Sequence, residues 1–185
     1  MEFIDGEKIV NNVNALYSYL ICPIDGLLNL SRAIPYFTTA IGINYKNPRN
    51  QKAADEIIAC AFINIASNEL FFAEKGMGAF LNNRRLRIYQ KKIKDNLLCA
   101  IPTVEALSAP FLQKKLSDNV KFHFRLNDCS SLDCGYLVAN RYDLILLDQK
   151  NKMINQIANL LIREAGGIVV DDADFLIVGY NITKS

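Results

Sequence analysis

The sequence predicts a mixed α/β fold built in layers, and three observations carry that reading. The first half alternates apolar, β-branched runs with turn-rich stretches, as a β-meander does. The second half alternates short apolar strands with segments of helical spacing. The composition is that of a globular chain: 185 residues, 51% hydrophobic, 22% charged, net charge +2. It is too apolar for disorder, and no apolar run reaches the roughly 18–20 residues of a membrane span. A balanced charge implies no nucleic-acid partner, and Met1 to Lys8 has no basic-then-apolar signal pattern. We therefore expect one cytoplasmic domain over residues 1–185.

In chain order, Tyr17 to Ile21 is an apolar run leading into Cys22-Pro23-Ile24-Asp25-Gly26-Leu27-Leu28-Asn29. Tyr36 to Asn44 reads as a strand, Glu56 to Ile65 as its antiparallel partner and Glu69 to Glu74 as a third strand. Gly76 to Asn83, with two glycines and Asn82-Asn83, reads as a turn. Leu97 to Ile101 is a strand closed by Pro102. Val104 to Leu116 reads as a helix with Thr103 as its cap, followed by a strand at Val120 to Phe124. Ser130 to Arg141 is a small-residue helix with Asp128 placed to cap it. Tyr142 to Leu147 is a strand. Ile154, Ile157, Ala158, Leu161 and Ala165 follow helical spacing, and Gly166-Gly167 ends that helix before a strand at Ile168 to Val170. Phe175 to Ser185 begins as a further strand.

Several chemistries can be weighed on spacing alone. The five cysteines are odd in number, widely spaced and contain no Cys-x-x-Cys, and His123 is the single histidine. That pattern gives no zinc site and points to reduced thiols packed as small apolar residues. A cysteine phosphatase needs an arginine six residues after its nucleophile. The corresponding positions are Leu28, Ala66, Glu105, Gly135 and Asn140, so none qualifies. Asp25-Gly26 after a strand can be an ordinary turn, or a strand end that delivers a carboxylate to a metal with the following N–H groups facing a phosphate. Arg84, Arg85, Arg87, Lys91, Lys92 and Lys94 form a basic run that suits a solvated hairpin face or an acidic partner. His123, among apolar neighbours on a strand, reads as structural.

Four blocks in order resemble the inositol monophosphatase family, in its bacterial form. Cys22 to Asn29 is similar to the family's Asp-Pro-Ile-Asp-Gly-Thr-x-Asn block, and Glu69 to Leu86 to its Glu-Leu-aromatic…Gly-x-Gly-Ala…Asn hairpin. Ser130 to Arg141 resembles the Gly-Ser-Ala-Ala-Leu-Asp-Leu helix, and Ile157 to Asp171 the last metal-associated helix with its following strand. The resemblance covers nearly the whole chain. It implies a layered α-β-α-β-α sandwich, here expected to lack the N-terminal helical hairpin and the C-terminal helix. It also implies an Mg²⁺-dependent phosphomonoesterase chemistry on inositol or sugar phosphates. Mg²⁺ demands about six oxygen ligands, and phosphoryl transfer rests on charge stabilisation and alignment.

By that resemblance Glu7, the Ile24 carbonyl and Asp25 are the metal positions that remain, and the backbone of Gly26 and Leu27 takes the phosphate. Asp128, Cys129, Ser130 and Asp148 lie on the substrate side. The departures fall on the chemistry. Lys8 follows Glu7 where the family has a second acid, Cys22 replaces the first aspartate of its block, and Leu27 replaces the threonine that works with the attacking water. An ungapped alignment puts Met153-Ile154 at the family's Trp-Asp, so Ile154 takes a ligand's place, and Leu147 falls at an acidic substrate position beside Asp148. Asp148 or Asn155 is the candidate to compensate. The expectation is a catalytically inert or nearly inert homologue, either a relic or a protein binder, with a residual Mg²⁺-dependent phosphatase as the alternative. Missing outer helices would leave apolar sheet surface open, which predicts a homodimer or a protein partner.

Overall fold

The computed structural model describes residues 16–46, 56–89, 96–118 and 120–180, together with the backbone of two short paired strands, β1 (Glu2–Ile4) and β2 (Glu7–Ile9). Two larger sheets follow. The first holds β3 (Tyr17–Asp25), β4 (Thr38–Tyr45), β5 (Glu56–Asn64), β6 (Glu69–Glu74), β7 (Gly78–Leu81) and β8 (Arg84–Leu86), each antiparallel to its sequence neighbour. It is the meander expected, with two additions: the Gly- and Asn-rich stretch after Glu74 contains strand β7, and the short strand β8 follows it. A five-residue helix, α1 (Leu27–Ser31), follows β3.

The second sheet runs in the order β10 (Phe122–Arg125), β9 (Leu97–Ala100), β11 (Leu144–Asp148), β13 (Phe175–Gly179), β12 (Ile168–Asp172). The pairs β10–β9 and β9–β11 are parallel, and β13 pairs antiparallel to both neighbours. Between the sheets lie α3 (Ser130–Val138) and α4 (Lys152–Glu164). The strand alternation separates two cores. Ile145 and Leu147 on β11 face α3, α4 and the six-stranded sheet, whereas Leu144 and Leu146 face the opposite way, onto Ala106, Ala109 and Leu112. Ala106 lies in a 3-10 turn (Val104–Ser108), Leu112 in α2 (Pro110–Ser117) and Ala109 at the junction between them. The layer order is thus sheet, helix, sheet, helix.

The single helix expected over 104–116 is split. A residue preceding proline avoids the α region, so the chain breaks at Ala109 and restarts with Pro110 in the first helical turn. Thr103 makes no capping hydrogen bond with its side chain. Asp128 does not cap α3 either. It adopts φ 53°, in the left-handed region, and the cap position falls on Cys129.

Both central helices come close to the first sheet at a glycine. A Cβ on Gly42 would stand 2.9 Å from Ile157 Cγ1, and one on Gly135 would stand 2.9–3.0 Å from three atoms of the Phe71 ring. The helical stripe expected on α4 is the buried one: Ile154, Ile157, Ala158, Leu161 and Ala165 all sit in the core. Glu164 then fastens the end of α4 to the β6–β7 turn. Its Oε1 and Oε2 accept from the Gly76 and Gly78 N–H groups, each at 2.8 Å.

The other face of the six-stranded sheet carries a cross-strand row of Ile21, Ile41, Ala61, Phe72 and Phe80, all partly exposed. The Phe72 and Phe80 rings stack at 5.1 Å. Tyr17 and Tyr19 on the edge strand are exposed.

Candidate functional site

A cleft of about 410 Å³ opens where the ends of β3 and β11 and the loop after β9 meet the N-termini of α1, α3 and α4. Its walls are Ile24, Asp25, Gly26, Leu27 and Leu28 from the first half. Pro102, Thr103, Asp128, Cys129, Ser130, Asp133, Asp148 and Asn151 come from the second half. The residues singled out at the end of the first strand, before the small-residue helix and at Asp148 are therefore brought together, although about a hundred positions separate the two halves.

Local sequence explains the delivery of Asp25. Cys22 pairs with Ala40 and Asp25 with Thr38, so β3 carries one more residue than β4 between those two pairings. The extra residue is a bulge at Pro23-Ile24, where a proline without an N–H does least harm. Thr39 Oγ1 donates to the Pro23 carbonyl at 2.7 Å and holds the kink. Gly26 follows at φ 85°, and a Cβ there would meet the Tyr36 carbonyl at 2.8 Å. Asn29 then ties this loop to the far side of the cleft, donating from Nδ2 to the carbonyls of Tyr36 (2.8 Å) and Asn127 (2.6 Å).

The Asp25 carboxylate is engaged within the protein. Its Oδ2 accepts from the Ser131 N–H at 2.8 Å and from Ser131 Oγ at 2.5 Å, and Thr38 Oγ1 lies against Ser131 Oγ. Cys129 Sγ is 3.6 Å from the same oxygen and 3.4 Å from the Asp25 carbonyl. Burial pushes the Cys129 thiol up, and the negative Asp25 adds to the shift, so this sulfur is no nucleophile at neutral pH.

Beside it lies a second polar group that the sequence reading did not identify. Asp133, 5% exposed, accepts at Oδ1 from Tyr36 Oη (2.6 Å) and Asn127 Nδ2 (2.9 Å), and Asn127 Nδ2 also reaches Tyr142 Oη at 2.9 Å. Burial raises the Asp133 carboxyl from its ordinary 3.8 to about 7. The two hydrogen bonds oppose the shift and the Asp25 charge adds to it. The sequence signal was one acid in an otherwise small and apolar helix, Ser-Ser-Leu-Asp-Cys-Gly. Asn151, also unforeseen, caps α4 by accepting from the Ile154 N–H at 3.4 Å.

Other expected residues fall elsewhere. Ile154 lies in the core at 1% exposure, and Cys22 is partly buried on β3; neither lines the cleft. Leu27 stands at the cleft mouth, 66% exposed. The Asp148 carboxylate accepts from the Lys150 N–H at 2.8 Å. Asn155 donates to the Asp148 carbonyl at 2.8 Å, and its Oδ1 is buried without a partner, away from the cleft lining. The side chains of Glu7 and Lys8, and Lys91, Lys92 and Lys94 of the basic run, lie outside the described residues. Arg84, Arg85, Arg87 and His123 are exposed, and none of these four lines the cleft. All five cysteines are thiols, four of them buried.

Among the described residues, which do not include the side chain of Glu7, the donor set does not fit a bound Mg²⁺. Among the described residues no three His, Cys, Asp or Glu side chains converge as metal ligands would. Oδ2 of Asp25 is occupied by Ser131 donors, and Cys22 and Ile154, at the places of two lost ligands, offer no hard oxygen. The lining contains Asp25, Asp128, Asp133 and Asp148 and no basic side chain. Among the described residues no helix is long and apolar enough to cross a membrane.

Comparison with known proteins agrees with this architecture. The chain is 32% identical over 165 residues to the Nus factor SuhB of Vibrio cholerae, covering 84% of this chain and 57% of that protein. It is 28% identical over 178 residues to an inositol-1-monophosphatase of Caulobacter vibrioides, covering 92% and 66%. It thus spans about three fifths of the length of these curated relatives. In three dimensions it resembles the extragenic suppressor protein suhB of Bartonella henselae, with TM-score 0.74, 26% identity, and coverage of 91% of this chain and 69% of that one. The IMPase of Thermotoga maritima shares the fold with TM-score 0.73 and 22% identity, covering 90% and 65%. Residues 3–174 match the inositol monophosphatase family, and with a fold that resembles solved relatives the chain belongs to that family.

Proposed function

We propose that this chain is a catalytically inert, or nearly inert, member of its family, retained for contact with a protein partner or a second copy of itself. The observation that carries the reading is the chemistry of the cleft. It keeps its walls, yet Leu27 stands where the resemblance calls for a hydroxyl, and the Ile154 position contributes a buried hydrocarbon in place of a ligand oxygen. Losing one preorganised charge-stabilising group costs about 10²–10³ in rate. Several such losses, though not additive, leave little catalysis. An anionic phosphate would also meet an acidic lining in which, among the described residues, no basic side chain offsets the charge.

The binding role draws support from two directions. Some relatives are named Nus factor SuhB and others inositol-1-monophosphatase, and the former name is not that of a reaction. The apolar row from Ile21 to Phe80, with the exposed Tyr17 and Tyr19, is the kind of surface that associates.

The test is Mg²⁺ titration by calorimetry with Asp25→Asn as control, followed by a screen of inositol and sugar phosphates in Mg²⁺. The inert reading expects no Asp25-dependent heat and no turnover. Binding at millimolar or better affinity, together with turnover that Asp25→Asn abolishes, would instead establish the residual phosphatase, with Asp25 and the Ile24 carbonyl as ligands and Asp148 on the substrate side. Light scattering of the purified chain checks the second half of the proposal, with a dimer or a stoichiometric co-purifying protein as the expected result.

A further inference from the structure

Helices α2 and α3 begin on residues that are poor caps, an alanine and a cysteine. The cap position of α2 is Ala109 and that of α3 is Cys129, and neither makes a side-chain capping bond. The first N–H groups of a helix have no partner within it, and burying them unpaired is costly. In α2 the vacancy is filled from a distance, since Asp172 Oδ2 accepts from the Phe111 N–H at 2.9 Å across 61 residues of sequence. In α3 the same duty falls to Asp25, whose Oδ2 accepts from the Ser131 N–H at 2.8 Å across 106 residues. Ser131 is the second residue of α3, the position a capping oxygen reaches. Its hydroxyl adds a second donor to the same oxygen and is itself backed by the buried Thr38.

We infer that Asp25 acts in this chain as the N-terminal cap of α3, a positioning residue whose carboxylate is satisfied by Ser131 in place of a cation. The inference rests on the inert reading in one respect, that no ion draws the carboxylate away from Ser131. It gives Asp25 a role that does not need the ligands lost at Cys22 and Ile154. A carboxylate at a helix N-terminus also gains from the helix dipole. Because Asp25 ends β3 and Ser131 lies in the first turn of α3, the cap joins the two halves of the molecule beside the cleft.

The experiment measures the melting temperature and the amide hydrogen exchange of the full chain, with and without Mg²⁺. Asp25→Ala is expected to lower Tm by about 4–8 °C and to speed exchange at the Ser131 amide by about tenfold or more. Asp25→Asn keeps an acceptor oxygen and should restore most of both; a metal ligand would not be rescued by this change. Mg²⁺ should leave the wild-type values unmoved. Should Asp25→Ala fail to fold, Ser131→Ala carries the test: it removes Oγ but keeps the N–H, so Tm should fall by a smaller amount with the amide at 131 still protected.

The inference is overturned if Asp25→Ala leaves that amide protected, if Asp25→Asn behaves no better than alanine, or if Ser131→Ala leaves Tm unchanged. It is also overturned if Mg²⁺ raises Tm while the Ser131 amide loses protection. Phosphatase turnover with Ser131 protection intact would remove the inert reading and support the cap, so the two can fail separately.

Discussion

Replacing Asp133 by asparagine should remove a loss of stability that this protein suffers as the pH rises through about 7. In the folded state burial lifts the carboxyl to about 7, whereas an unfolded chain titrates it near 3.8. The folded protein therefore holds a proton that the unfolded chain has released. The stability this confers is complete below pH 3.8, and it is lost progressively as the pH rises through about 7. A separation of about three units corresponds to roughly 4 kcal/mol, of which on the order of 2–4 kcal/mol should be measurable. Asparagine carries no charge, and its Oδ1 can still accept from Tyr36 and Asn127 as the carboxylate does. Tyr36 and Tyr142, the titratable groups against Asp133, are pushed up by burial and stay phenols over this range; Asp25 is common to both proteins. Urea unfolding of wild type and Asp133→Asn at intervals from pH 5 to 9 reads the effect. The wild type should lose stability relative to the variant up to about pH 8, after which the difference levels off. Any fixed cost of the amide separates the curves equally at every pH and leaves their divergence untouched. Parallel curves would refute the reasoning.

Three further outcomes test the packing. Gly135→Ala gains about 1 kcal/mol of helix propensity but forces a methyl against the fully buried Phe71 ring, at a cost of about 1–3 kcal/mol. A net loss in the urea midpoint is expected, relieved when Phe71→Leu is added. Glu164→Ala should cost about 1–3 kcal/mol by leaving the Gly76 and Gly78 N–H groups without their acceptors, with faster exchange at both amides and a smaller loss for Glu164→Gln. Asn29→Ala, which removes both bonds across the cleft loop, should cost about 1–3 kcal/mol, read as a lower urea midpoint.

What could be read in advance follows from the range over which each signal acts. The meander was legible because strand alternation and turn residues are local, and α4 because its apolar stripe repeats over three turns. The cleft walls were legible only through the order of four motif blocks, which placed Asp25, Gly26, Leu27, Asp128 to Ser130 and Asp148 in one site. The break at Pro110 was also local and was overlooked in favour of the apolar spacing around it. The Asp25–Ser131 bond and the Asp133–Tyr36 bond join residues 106 and 97 positions apart, and no local pattern announces such partners. Asp128 illustrates the limit from the other side. The residue type and its place before a helix were right for a cap, and its left-handed backbone put it one residue too early.

The unlike wiring of the two sheets sets an order of events in folding. The six-stranded sheet joins each strand to its neighbour in sequence, so it can zip up through short closures. The five-stranded sheet cannot, because β9 must find β10 and β11 through parallel crossovers. During synthesis the first sheet can thus form while α3 and α4 are still to come, with the face that Phe62 and Phe71 will bury against them left open. The cleft closes only when the second half docks. A nascent chain stalled before Ser130 would hold Asp25 with nothing to cap, and its fate would rest with chaperones and proteases.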